Sequence, residues 1–156
     1  MIELEAPEIF GHTVFCDDLR FELDGKITLV GSYNGTMLIR GEFPITLPKF
    51  AVSVFFLQSK AVYEPKLTLK VFLPGDSADA ASVEVEVEPP PETPLFSNEE
   101  KANVGVRANI IMSPLVINSP GAIKVRMQRQ GQLHPIGSLA VVAVDATLSN
   151  APPPPS

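Results

Sequence analysis

The sequence predicts an all-β fold: a two-layer antiparallel sandwich of about eight or nine strands with Ig-like or C2-like Greek-key connections. Three observations carry that expectation. Sixteen prolines and ten glycines cut the chain into short apolar runs. None of the intervening segments holds an i, i+3, i+4, i+7 apolar pattern over three turns, as a helix would need. The runs are rich in Val, Ile, Leu, Phe and Thr and alternate with period two, as strands covered on one face do. With 156 residues, 45% of them hydrophobic, the chain suits a single domain, expected over 1–148, that buries roughly 70% of its unfolded surface.

The first hairpin can be argued to its register. Asp24-Gly25 lies between Thr13 to Glu22 and Lys26 to Gly31, and such a pair is a strong hairpin signal. A two-residue loop would set Phe21 against Thr28 and mix polar with apolar on one face. A three-residue loop, Leu23-Asp24-Gly25 with Gly25 left-handed, pairs Phe21 with Ile27 and Leu19 with Leu29, and sets Glu22 beside Lys26 as opposite charges. That register is the expectation. It turns Cys16, Asp18 and Arg20 outward and Asp17 inward, opposite Gly31.

A second turn at Asn34-Gly35 predicts that Met37 to Arg40 returns as the third strand of a meander. Pro44 and Pro48 then hold Gly41 to Pro48 extended and without ladder donors, which suggests a crossing between sheets. Phe50 to Leu57 is apolar at nearly every position and reads as a central strand. Leu67 to Leu73 and Val83 to Glu88 alternate cleanly and read as half-buried partners, with Lys70 facing a glutamate on the solvent side. Pro74 to Ala81 between them is an exposed loop. Glu88 to Asn103, with Pro89-Pro90-Pro91 and Pro94, has no regular pattern and reads as a functional loop, a mobile one or a long connection between sheets. Val104 to Met112 is a further strand, and Leu115 to Ile117 a bent continuation of it. Ile123, Val125 and Met127 mark a half-solvated strand after the turn Ser119-Pro120-Gly121. Gly131 closes a hairpin to Gln132 to Ile136, and Ser138 to Val144 reads as a separate buried run. The end, 149–156, is expected to be a disordered proline-rich tail rather than a ligand for a proline-binding domain.

Charge and motifs narrow the function. The net charge is −6 and the 12 Lys and Arg are scattered, so no basic field is present for nucleic acid or an anionic membrane surface. Acids and a proline occupy Met1 to Glu8 where a secretory signal needs bases and an apolar run. The single cysteine allows no internal disulfide, and no stretch reaches the ~18 apolar residues of a membrane span. A cytoplasmic location is expected. Phe15-Cys16-Asp17-Asp18-Leu19-Arg20 is the most unusual cluster. A nucleophilic Cys16 would need a base, but His12 and His134 stand in no nucleophile or zinc motif, so a structural cysteine is the favoured reading. An inward Asp17 is costly to leave unpaired, and the favoured reading is that it bonds backbone amides near a bulge or strand end rather than pairing with a second acid for acid–base work. Asp17, Asp18, Asp76, Asp79, Glu99 and Glu100 could gather at one end to hold Ca²⁺, although no EF-hand pattern is present and solvated acids are favoured. No phosphate-binding glycine loop occurs. No catalytic, cofactor-binding or metal residue is therefore assigned.

The stretch Phe15-Cys16-Asp17-Asp18-Leu19-Arg20-Phe21-Glu22, then Gly25-Lys26-Ile27-Thr28-Leu29-Val30-Gly31-Ser32-Tyr33 and Leu47-Pro48-Lys49, resembles the opening of a family of small bacterial proteins, a domain of unknown function. The resemblance covers about the first third of the chain, and more loosely Pro120-Gly121 and Gly137-Ser138-Leu139; it implies no site residue. The residues themselves favour a non-enzymatic interaction or accessory module whose partner is another protein, with a homo-oligomer also open. The alternative is a small-molecule or carbohydrate binder, Ca²⁺-assisted or not.

Overall fold

The inward residues of two pleated layers meet in one apolar slab: Phe15, Phe50, Val52, Val54 and Phe56 from one side, Leu69, Val71, Ile123, Val125, Met127 and Leu139 from the other. This computed structural model describes residues 7–88 and 103–145. Its strands are β1 (Ile9–Phe21), β2 (Ile27–Ser32), β3 (Thr36–Arg40), β4 (Ile45–Leu47), β5 (Phe50–Ser59), β6 (Leu67–Phe72), β7 (Val83–Val87), β8 (Asn103–Met112), β9 (Leu115–Ile117), β10 (Gly121–Arg129) and β11 (Gln132–Val144). The first sheet runs β2-β1-β5-β8 and the second β3-β11-β10-β6-β7, with β4 and β9 as a separate ribbon. The molecule is a β-sandwich, as the period-two alternation predicts. Among the described residues no helix is long and apolar enough to cross a membrane.

The β1–β2 hairpin has the expected register, Phe21 with Ile27 and Leu19 with Leu29. Its turn is a short 3-10 segment, Leu23–Gly25, with Gly25 left-handed at φ 70°. The side chain of Glu22 does not use Lys26; it accepts a 2.9 Å hydrogen bond from the Thr28 hydroxyl. β5 lies between β1 and β8, ladder-bonded on both sides and almost wholly buried, as its apolar run requires. β6 pairs with β7, and Lys70 faces Glu84 with Nζ 3.0 Å from Oε1.

Several expectations are corrected. Eleven strands are present among the described residues rather than eight or nine. β3 does not return beside β2: the chain leaves the first sheet at Asn34-Gly35, and β3 runs parallel to β11 in the second, so the sandwich is not purely antiparallel. Met37 and Ile39 are thereby buried against the second sheet's inner face. The crossing at Gly41 to Pro48 carries the chain back, with β4 paired to β9 on the way, so Leu115 to Ile117 is no continuation of β8. Gln132 to Val144 is one strand, with a register shift opposite Val125 and Arg126 that absorbs the break seen in the pattern at Gly137. Its second half is half-exposed, because β11 presents its outer side chains, Val142 among them, to solvent.

The two sheets close on each other where β1 meets β11. A Cβ at Gly11 would stand 2.6 Å from the Ile136 side chain, and one at Gly137 2.6 Å from Thr13 Cβ. Only hydrogen at both positions lets the layers approach this closely, and Thr13 Oγ1 donates across the seam to the Ile136 carbonyl at 3.1 Å. At the far end of the slab, buried Arg129 donates from Nε to Gln58 Oε1 at 2.8 Å and from Nη2 to the Val62 carbonyl. Gln58 also binds both the N–H (3.2 Å) and the C=O (3.0 Å) of Glu64. The connection between β5 and β6 is thus tied to β10 through one guanidinium.

Candidate functional site

Of the cluster that stands out in the sequence, the fold engages Cys16, Asp17 and Asp18, while Arg20 is exposed. Cys16 lies on the outward face of the first sheet, as expected, but is fully buried there. It packs with Leu19, Ala51, Ile27 and Leu29 in a small second cluster outside the main slab, and its Sγ lies 3.7 Å from the Ala51 carbonyl it donates to. Burial, with help from the Asp17 charge, pushes its thiol pKa up, the opposite of what a nucleophile needs. Asp17 is exposed rather than inward. Its carboxylate lies over Gly31, as expected, and accepts a 2.7 Å hydrogen bond from the Tyr33 hydroxyl. Partial burial and that anionic acceptor raise the Tyr33 pKa strongly. Asp18 forms an ion pair with Lys49 at 3.2 Å and accepts from the Leu19 N–H; the hydrogen bond from Lys49 is the main cause of its lowered pKa.

The two faces of β1 fail to alternate here, since Cys16 and Leu19 share a cluster although they are an odd number of residues apart. The irregularity falls opposite Gly31, whose φ of 67° no side chain would favour. The side-chain partners in this cluster are Tyr33 for Asp17 and Lys49 for Asp18. The motif is a staple joining β1, β2 and the start of β5.

The remaining candidates do not converge. His12 lies on the outer face of the first sheet between Phe10 and Phe55, and His134 stands against Phe56 on the inner side. Asp76 is a loop cap: its Oδ2 accepts from Leu73 N–H, Ser82 N–H and Ser82 Oγ at 2.9, 2.9 and 2.7 Å. Asp79 is exposed, and Glu99 and Glu100 lie outside the described residues, as do most of the 88–103 loop and the tail at 149–156. Among the described residues no three His, Cys, Asp or Glu side chains are grouped to hold a metal ion.

What sequence reasoning missed is the state of the four sheet edges. β7 is short and carries Glu84 and Glu86. β2 is interrupted at Gly31, and β3 has only five residues, ending on Arg40. These are ordinary guards against unwanted pairing. β8 has fewer of them: ten residues in unbroken register with β5, no proline, and Arg107 as its one charge. Among the described residues nothing pairs with its outer side. Its core-facing Val104, Val106, Ala108 and Ile110 are only partly covered, and Ile111 on the other face is 39% exposed. Compared with protein-family models, curated proteins and solved structures, the chain matches none of them.

Proposed function

We propose that this protein is a non-enzymatic interaction module that takes up an extended segment of a partner protein along β8. The observation that carries the reading is the ten-residue edge, guarded by a single charge, with its half-covered apolar row. An edge strand offers alternate N–H and C=O groups to an incoming chain, and strand addition draws affinity from those bonds and specificity from alternate side chains. An added strand beside β8 would complete the cover over Val104, Val106 and Ile110. The free thiol of Cys16, unpaired and buried, supports a reducing compartment, and we place the module in the cytoplasm.

The experiment is selection of decapeptides from a random library on the purified full chain, followed by amide exchange of the complex. Peptides with alternating apolar residues that slow exchange across 103–112, and that bind about tenfold more weakly to Ile111→Lys, are the expected result. Selected peptides that protect another surface, or a library that yields no binder, would refute the reading.

A further inference from the structure

The outer face of the second sheet carries a cleft of about 340 Å³ between β10 and the loop after β6. Its floor holds Lys124 and Arg126, two residues apart on β10 and therefore on one face. Phe72 and Leu133 supply apolar wall, and the turn Pro74-Gly75-Asp76 closes one side.

The charges of this cleft do not cancel. Among the described residues no carboxylate forms an ion pair with Lys124 or Arg126, although the chain carries a net charge of −6. Arg126 donates from Nη1 to the carbonyls of Val125 and Gly137, at 2.9 and 3.2 Å, which fixes the guanidinium at the β11 register shift without neutralising it. Lys70, the neighbour of Arg126 on β6, is neutralised by Glu84. Asp76, the acid in the lining, spends its Oδ2 on three donors from Leu73 and Ser82 and so holds the loop in place. The result is a concave site with a guanidinium held in place, an exposed ammonium two residues from it, one carboxylate already engaged by the loop, and an apolar wall. Pockets near this volume suit small ligands, and a guanidinium beside an ammonium suits carboxylate or phosphate oxygens.

We propose that the Lys124–Arg126 cleft binds a small ligand made of an anionic head, carboxylate or phosphate, on a compact apolar body. The head sits between the two cations and the body against Phe72 and Leu133. The site is on the opposite sheet from β8 and stands or falls separately from strand addition.

The test uses the full chain, isotope-labelled, titrated with phenyl phosphate, phenylacetate and, as the neutral control, benzyl alcohol, with amide shifts followed by NMR. Lys124 is exposed and without a partner among the described residues, so Lys124→Gln tests the cleft without disturbing the fold; Lys49→Gln, at the Asp18 ion pair, is the cationic control. Saturable shifts confined to 72–78 and 120–126 for at least one anion, weakened about tenfold by Lys124→Gln and unchanged by Lys49→Gln, are expected. The stronger anion identifies the head group. No saturable shift with either anion, equal shifts with benzyl alcohol, or binding untouched by Lys124→Gln would overturn the proposal.

Discussion

At Gly137 a methyl group has nowhere to go: its carbon would stand 2.6 Å from Thr13 Cβ, across the closest approach of the two sheets. Gly137→Val is expected to force β1 and β11 apart and to cost about 1–3 kcal/mol, read as a lower urea midpoint. Asp76 offers a second test at this scale. Partial burial would raise its pKa, but the hydrogen bonds from Leu73 and Ser82 outweigh that and hold it below the ordinary carboxylate value. A folded-state pKa that is depressed stabilises the protein above the unfolded value and loses that stabilisation as pH falls through the folded one. Asp76→Ala is therefore expected to unfold at lower urea than the parent at neutral pH, by about 1–3 kcal/mol, with the gap narrowing below about pH 4. Little of this was legible beforehand. Strict alternation leaves Cys16 outside and puts Asp17 inside, whereas the irregularity opposite Gly31 brings Leu19 onto the face of Cys16 to cover the thiol and leaves the acid exposed, bonded to Tyr33. A glycine in a pattern signals that something is close or left-handed, but its partner is known only once the strands are placed.

Strand by strand, the pattern reports local pairing well and distant pairing poorly. The β1–β2 register and the Lys70–Glu84 pair follow from turn chemistry and alternation, because both are set by neighbours in sequence. β3 leaves its neighbour for β11, about a hundred residues further along the chain, and nothing local in Met37 to Arg40 encodes that choice. The tie at Gln58 belongs to the same class. Its apolar surroundings mark β5 as buried, but the guanidinium that needs it comes from β10. Gln58→Leu would leave Arg129 Nε buried and without its acceptor, and release the Glu64 backbone as well. A loss of about 3 kcal/mol is expected in equilibrium urea unfolding. By contrast Lys70→Ala breaks an ion pair whose glutamate is half-exposed, and a change under about 1 kcal/mol is expected in the same measurement.

For the molecule as a whole, closure at one side and incompleteness at the other are two consequences of one arrangement. Glycines draw β1 onto β11, while β7 and β8, edges of opposite sheets, leave Val85, Val104 and Val106 only partly covered. A sandwich that presents an incomplete edge has a means of engaging another chain that needs no specialised side chain, which is why no motif in the sequence announces it. The direct measurement is amide hydrogen exchange of the free full-length protein, resolved residue by residue. If the outer side of β8 is open, amides along β5 exchange slowly at every position while those of 103–112 alternate, slow where they donate to β5 and fast where they face outward. Uniformly slow exchange along β8 would mean that its edge is already occupied, and the account of this protein as a strand-accepting module would be wrong.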